Sequence, residues 1–176
     1  MIRILSNEEM SPFETISLQT GTLDLAFRPQ PQATGNLQVD PEIQLPSPGM
    51  DVNIASYYNA VSTNNSPFGY GWTSSVFLTA QASPTPSIVT MTRGNGYVVS
   101  YLESGSGTNV FNPQTPGLFN TLSKDVGNGL WKETTPDGFT FAYPLDTTNT
   151  TTSLTYQEDA VGNRHTFAYS SGLLQT

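Results

Sequence analysis

The chain contains no cysteine, few charged residues and no long apolar run. Without cysteine there is no disulfide, no thiolate metal site and no cysteine nucleophile, while the redox compartment is left open. No stretch approaches the ~18 apolar residues of a membrane-spanning helix, so we expect no membrane insertion. The start, MIRILSNEEMSPF, lacks the apolar region of a secretion signal. Any export would therefore use a signal elsewhere or a route without one.

Basic residues are also scarce. Lysine and arginine together number 6, against 14 acidic residues, and the net charge is −8. A nucleic-acid backbone or an anionic membrane surface would be repelled by this charge, and no stretch gathers the basic residues into a patch. Nucleic-acid binding is therefore not expected.

What the chain does contain is typical of β structure. There are 15 Gly and 13 Pro, and aromatic residues make up 11% of the sequence. Few charges with many aromatic residues argue against disorder, and no segment longer than ten residues has apolar residues at helical spacing. We predict an all-β fold with few or no helices, in which antiparallel strand–turn–strand hairpins form a curved sheet. Residues 1–13 are expected to be a flexible lead-in and residues 14–176 the sheet segment.

Apolar residues alternate at a period of two along most of the chain, which predicts strands. The loop predicted for residues 103–117 should place Phe111, Leu118 and Phe119 against the sheet. The hairpins within residues 129–176 are similar enough to be a candidate repeat. The predicted strand segments lie within residues 15–27, 43–58, 68–82, 88–102, 129–144 and 154–169.

The sequence DAVGNRHTFAY has the residue types of a hairpin turn. Asp159 can accept a hydrogen bond from a backbone N–H about two residues later. Gly162 can take a positive φ, and Asn163 tolerates the left-handed region better than most residues. Phe167 and Tyr169 should then share one face of the next strand. A calcium loop is the alternative, but the spacing lacks its alternating acidic positions, so we expect a structural turn and no metal site.

A second turn, FGYGW, is rich in aromatic residues. Gly69 and Gly71 permit a bend that side chains would strain. Phe68, Tyr70 and Trp72 are spaced at two and would present three rings on one face. An exposed row of rings could stack on a sugar, whereas a buried row would belong to the core. We expect the core, because most large aromatic side chains are substantially buried.

No residue pattern predicts an active site or a cofactor. The only histidine, His165, is expected to face solvent or the side of the sheet opposite Phe167 and Tyr169, without a partner for general-base catalysis. No nucleophile elbow is present. Neighbouring carboxylates such as Glu158 and Asp159 would point to opposite faces of a strand. We therefore expect no enzyme activity.

The turn and its flanks resemble the YD repeat of the Rhs (rearrangement hot spot) proteins. The pattern is Asp-x-x-Gly-Asn, an aromatic-x-Tyr pair and then Gly-x-Leu. Two positions depart from it: Phe167 stands where Tyr is common, and Ser170 stands where the repeat has Asp. The matching residues are Asp159, Gly162, Asn163, Phe167, Tyr169, Gly172 and Leu174.

The resemblance extends over about residues 15–176. SYYNA…SPFGYGWTSS (residues 56–75), TGTLDL (residues 20–25) and TPDGFTFAYP are similar to successive stretches of the amino-terminal part of an Rhs shell. It implies a non-catalytic wall segment of a hollow β shell that encloses a carboxy-terminal toxin or effector. The partners would be further repeats and that toxin domain, in a bacterial protein that is exported or on the cell surface.

The final SSGLLQT predicts a turn and a strand with no successor, so we expect a fragment with a partly exposed core. The alternative reading is a self-contained β-sandwich that binds carbohydrate or acts in cell-surface adhesion. Threonine- and asparagine-rich loops and the three rings of the FGYGW turn favour this alternative.

Overall fold

The structure is a computed structural model that describes residues 30–31, 37–63, 65–83 and 87–175. No helix occurs among these residues, which confirms the all-β prediction. Accordingly, the described residues contain no helix that could cross a membrane. The strands predicted within residues 15–27 and the lead-in of residues 1–13 lie outside the described residues.

Eighteen strands, numbered in chain order, make up the described fold. Their bounds are β1 (Gln30–Pro31), β2 (Leu37–Leu45), β3 (Val52–Tyr58), β4 (Asn65–Ser66), β5 (Gly69–Tyr70), β6 (Trp72–Ser74), β7 (Thr79–Ser83), β8 (Ile88–Thr92), β9 (Val98–Glu103), β10 (Val110–Pro113), β11 (Thr121–Asp125), β12 (Leu130–Thr134), β13 (Thr140–Pro144), β14 (Thr151–Ser153), β15 (Tyr156–Glu158), β16 (Arg164–Thr166), β17 (Tyr169–Ser170) and β18 (Leu173–Leu174).

The strands form two main antiparallel sheets. The smaller sheet has the order β1-β2-β3-β6, and the larger has the order β14-β7-β8-β9-β10-β11-β12-β13-β15-β16. β4 pairs with β5 and β17 pairs with β18 as separate hairpins. From β7 to β13, each strand pairs with the next one along the chain, so this part of the fold follows from local strand–turn–strand connections.

Alternating side chains explain why β8 and β9 form a half-buried pair. Val89, Met91, Val99 and Tyr101 are buried and share one face, because Val89 pairs with Tyr101 and Met91 with Val99. The residues between them point to the other face, as the period of two requires. The predicted hairpin is confirmed.

The larger sheet curls so that β7 and β13, which are not neighbours in its order, approach the same segment of the chain. β14 follows β13 in the chain, yet it pairs with β7 at the other end of the row. The N–H of Leu154 donates to Leu78 O beside β7 (3.0 Å), and the N–H of the next residue, Thr155, donates to Ala142 O on β13 (2.7 Å). Two consecutive residues thus bridge β7 and β13, which five other strands separate in the order of the sheet.

One cluster of buried residues fills this interior. Leu118, Phe141, Leu145 and Phe167 pack against it. Burial of this much apolar surface is the main favourable term that holds the curl together. The cluster consists of Leu78, Ala80, Ala82, Val89, Met91, Val99, Tyr101, Phe111, Leu122, Trp131, Tyr143 and Leu154.

Three sequence predictions about loops and strands are wrong in detail. Residues 103–117 are not all loop, because Val110–Pro113 forms β10 between β9 and β11. Phe111 is buried as expected, but Phe119 is 78% exposed and does not cover the sheet. The aromatic strand predicted within residues 68–82 is broken into β5, β6 and β7, because the chain turns between them.

Candidate functional site

The turn formed by residues 159–163 is built around the carboxylate of Asp159. Its Oδ1 accepts the N–H groups of Val161 (3.0 Å) and Asn163 (2.8 Å), and its Oδ2 accepts the Asn163 side-chain amide (2.6 Å). Gly162 has a φ of +92°. These hydrogen bonds, the Asn163 side-chain bond first, lower the pKa of Asp159. The predicted turn is confirmed, but Asn163 is not left-handed; its side chain braces the carboxylate instead.

The same turn occurs three times in the larger sheet, each time at the same end of its strands. In each turn the first residue accepts the N–H of a glycine three residues later, and donates its own N–H to the carbonyl of the fifth residue. The glycines Gly96, Gly138 and Gly162 all have φ between +82° and +92°. This is a type I turn followed by a left-handed glycine bulge. The three turns are residues 93–97, 135–139 and 159–163.

Neighbouring turns also touch each other. A Cβ on Gly138 would lie 2.7 Å from Ala160 Cβ, so the second turn packs directly on the third. On its other side, Asn163 lies against Gly49 of the β2–β3 turn, where an added Cβ would come within 2.7 Å of the Asn163 amide. The third turn therefore joins the two main sheets.

His165 reinforces this junction rather than facing solvent. Its Nε2 donates to Met50 O (2.8 Å), so its Nδ1 accepts from Gln157 Nε2 (3.1 Å). It is half-buried and lies two residues before Phe167, on the same side of the strand. The prediction that it faces solvent or the opposite side is wrong. Both ring nitrogens are occupied, which leaves neither free to act as a base.

The residues that complete the repeat pattern form two short elements instead of one strand. β16 ends at Thr166, Phe167 packs on the core cluster, and the hairpin β17–β18 follows. The Tyr169 hydroxyl donates to Val76 O (3.1 Å), and burial raises the pKa of Tyr169. Gly172 has a φ of +77°, and Leu174 pairs with Tyr169. Phe167 and Tyr169 are both half-buried.

The outer side of β16 is unpaired among the described residues. Phe167 N–H donates to Thr155 O (2.8 Å), and Asp159 N–H donates to Asn163 O (2.9 Å). Odd-numbered residues of this strand therefore bond inward to β15, and the backbone groups of Arg164 and Thr166 point outward. We call these outward-pointing backbone groups of Arg164 and Thr166 the open edge. The Arg164 side chain is held away from it, since its guanidinium stacks over the Tyr156 ring at 3.8 Å.

A largely apolar groove of about 370 Å³ runs beside the open edge. It lies between the smaller sheet and the last hairpins, and Gln157, Arg164 and His165 supply its polar rim. A strand added at the open edge would find alternate side chains facing this groove. Its apolar lining is formed by Val52, Ile54, Val76, Phe167 and Leu174.

The FGYGW turn does not belong to the core. Phe68 is 54% exposed and Tyr70 is 70% exposed, while Trp72 is half-buried against Tyr58 at a centroid distance of 5.2 Å. Gly69 (φ +102°) and Gly71 (φ +75°) turn the chain, so the three rings do not stand on one strand. The expectation of a buried aromatic row is therefore wrong.

A buried polar cluster at one end of the curl is absent from the sequence predictions. Glu133 is completely buried and accepts hydrogen bonds from the Arg93 guanidinium at both oxygens, from the Tyr101 hydroxyl and from Asn120 Nδ2 (2.8 Å). We call these four residues the Glu133 cluster. The Tyr143 hydroxyl is buried nearby without a hydrogen bond of acceptable geometry. The period of two could have revealed it, because Glu133 stands two residues after the inward-facing Trp131.

The pKa directions in the Glu133 cluster fit a fixed ion pair. Burial, followed by the hydrogen bond and charge of Glu133, raises the pKa of Tyr101. Burial alone would lower the pKa of Arg93, but Glu133 outweighs it and the pKa rises. Both side chains therefore keep their protons at neutral pH, and the cluster is suited to holding strands rather than to transferring protons. No three acidic or histidine side chains of the described residues gather as a metal site.

Comparisons with known proteins add no family to this description. No protein-family model matches the chain, and no curated protein matches its sequence. The features of the molecule that bear on its function are the turns, the open edge and the groove.

Proposed function

We propose that this chain is a non-catalytic wall segment of a larger all-β shell of the Rhs type, which encloses a toxin or effector. The observation that carries the proposal is the turn that recurs three times with the same hydrogen bonds and the same left-handed glycine. A wall made of repeated hairpins needs a turn that can be repeated while its neighbours stack, and Gly138 against Ala160 meets that need.

The open edge supports the same role. No described strand pairs with the outward backbone groups of Arg164 and Thr166, and these groups lie beside an apolar groove. This combination can bind an added strand. Proteins that work alone usually blunt such edges with proline, charge or a bulge. Here the Arg164 charge is turned back onto Tyr156, so the edge remains accessible. The expected partner is a further hairpin of the same kind.

Replacing Thr166 with proline tests the open edge. Because the Thr166 N–H points outward, proline removes an assembly donor without removing a bond to β15. We expect the wild-type chain to associate reversibly in sedimentation velocity, above the monomer mass of 19.0 kDa, and Thr166→Pro to remain monomeric. Thr166→Val, which keeps the N–H, should behave as wild type. A wild-type chain that stays monomeric at every concentration would contradict the proposal.

The shell itself is tested by imaging. The chain would be expressed together with the coding sequence adjacent to its gene, and the particle examined by cryo-electron microscopy. A hollow β wall that contains this fold is expected. A solid domain that presents a separate ligand face would refute the shell, whatever the outcome at the open edge.

A second candidate function is carbohydrate binding at the FGYGW turn. Its supporting observation is the exposure of the Phe68 and Tyr70 rings, since exposed rings can stack on sugars. A glycan array would decide: binding that is lost in Tyr70→Ala and retained in Tyr97→Ala, another exposed tyrosine, favours this function. No binding by the wild-type chain would exclude the glycans on the array.

A further inference from the structure

A cavity of about 230 Å³ lies at the end of the strands opposite the three turns. It is formed where β7, β9 and β11 end and where β8, β10 and β12 begin. Side chains of several strands converge at such a mouth of a curled sheet, which is a common place for a ligand site. The apolar floor of the cavity consists of Ala82, Val89, Phe111 and Trp131, all members of the buried cluster.

Two charged side chains of opposite sign line this cavity. Glu103 stands two residues after the buried Tyr101 on β9. Lys124 stands two residues after the buried Leu122 on β11. Because residues two apart on a strand share a face, both charges continue inward-facing rows. Both side chains are half-buried, so the cavity combines an apolar floor with two opposite charges near its mouth.

The two charges do not neutralise each other. Phe111 pairs with Glu103 on one side and with Leu122 on the other, and Lys124 lies two residues further along β11. The Cα atoms of Glu103 and Lys124 are therefore roughly 12 Å apart. No ion pair joins these two side chains to each other or to another described residue. The three other lysine and arginine side chains of the described residues each have a carboxylate partner.

Neighbouring groups hold both charges at the cavity. Lys124 Nζ lies over the Trp131 ring at 5.9 Å from its centroid, a cation–π contact that orients the ammonium group. The N–H of Gly107 donates to Glu103 Oε1 (3.0 Å). An ammonium group has three donors and a carboxylate has about four acceptor sites. Each group therefore retains hydrogen-bonding capacity for a ligand.

We propose that this cavity binds a small zwitterion, an α-amino acid with an aliphatic side chain. Its carboxylate accepts hydrogen bonds from the Lys124 ammonium, and its own ammonium donates to the Glu103 carboxylate. Its side chain packs on the apolar floor. The cavity shares no residue with the groove beside the open edge, so this binding is independent of the assembly proposed above.

The size and chemistry of the cavity favour this class of ligand over two others. A volume of about 230 Å³ is below the about 300–1,000 Å³ of sites for drug-sized ligands, so a single amino acid fits better than a peptide or an oligosaccharide. Trp131 is only 3% exposed, with Lys124 over its ring and the Phe111 ring at right angles to it, which leaves no face for stacking on a sugar. A simple anion would be attracted by Lys124 but repelled by Glu103, whereas a zwitterion satisfies both charges.

Isothermal titration calorimetry with L-leucine tests the class of ligand. Isocaproate lacks the ammonium group of leucine and isoamylamine lacks its carboxylate, so these two compounds measure what each charge contributes. We expect L-leucine to bind at least about tenfold more tightly than either compound, because it alone makes both charge-assisted hydrogen bonds. Equal affinities for the three compounds, or no heat of binding from L-leucine, L-valine and L-isoleucine, would overturn the proposal.

Two substitutions test the role of each charge. Lys124→Gln should weaken the binding of L-leucine at least about tenfold and should not weaken that of isoamylamine. Glu103→Gln should also weaken the binding of L-leucine about tenfold and should not weaken that of isocaproate. Neither residue has an ion pair with a described residue, so the urea midpoints of both variants should stay close to that of the wild type.

Lys132→Gln is the matched control, since Lys132 pairs with Asp125 (2.7 Å) outside the cavity. It should bind L-leucine like the wild type. Wild-type affinity for L-leucine in both Lys124→Gln and Glu103→Gln would overturn the assignment. An equal loss of affinity in Lys132→Gln and Lys124→Gln would also overturn it, because the effect would then come from net charge rather than from the cavity.

Discussion

Replacing Glu133 with glutamine should destabilise the curl severely. The carboxylate accepts hydrogen bonds from Arg93, Tyr101 and Asn120 in a completely buried position. Glutamine has the same shape, but its amide nitrogen is a donor and would face other donors. The substitution also leaves the Arg93 guanidinium without its counter-charge, with only 18% of its side chain exposed.

The magnitude follows from the burial. Removing one partner of a buried ion pair costs about 3–5 kcal/mol, because the remaining charge is neither solvated nor paired. The whole folding free energy of a domain is about 5–15 kcal/mol. With a urea m-value of about 2 kcal/mol/M, the unfolding midpoint of Glu133→Gln should fall by about 2 M.

Urea unfolding followed by tryptophan fluorescence measures this midpoint, since Trp131 lies on the same strand. Lys132→Gln is the matched control, because Lys132 is the adjacent residue and pairs with Asp125 (2.7 Å) at the surface, where ion pairs contribute little. A Glu133→Gln chain as stable as Lys132→Gln would refute the reasoning.

Two further predictions concern the turns and acid stability. Gly162→Ala should lower the free energy of unfolding by about 1–2 kcal/mol because of its positive φ alone, and Gly138→Ala should lower it more, because its Cβ would also collide with Ala160. The urea midpoints of the two variants measure this difference, and equal losses of stability would contradict the contact. The side-chain hydrogen bond from Lys132 lowers the pKa of Asp125 to about 2. The stability that this carboxylate contributes is therefore complete above its pKa in the unfolded chain and disappears as pH falls from about 4 to 2. Asp125→Asn should weaken the dependence of the free energy of unfolding on pH in this range, and an unchanged dependence would rule this contribution out.

Local features were predictable because neighbouring residues determine them. The hairpin of β8 and β9 follows from the alternation of Val89 with Met91 and of Val99 with Tyr101. The turn of residues 159–163 follows from an acidic side chain that accepts nearby N–H groups and a glycine that permits positive φ. In both cases the information lies within a few residues of the element.

Features that depend on distant partners were missed. The threonine-rich β14 has no apolar alternation, and its pairing with β7 joins residues about 70 positions apart, such as Thr152 and Ala80. The exposure of Phe68 depends on where other elements leave space, which ring spacing alone does not determine. Glu133 was missed for a related reason, because its partner Arg93 lies on another hairpin.

Stability and assembly depend on different parts of the larger sheet. Closure at Leu154 and Thr155 buries the core without help from another chain, so the fold need not depend on a partner for its main apolar burial. The outer side of β16, which no described strand pairs, can therefore stay open at little cost to the core. We therefore expect that a substitution at Arg164 or Thr166 changes assembly without changing stability, which depends on the Glu133 cluster. Thr166→Pro should leave the urea midpoint almost unchanged while it abolishes association, and a large loss of stability would show that the two tasks are coupled.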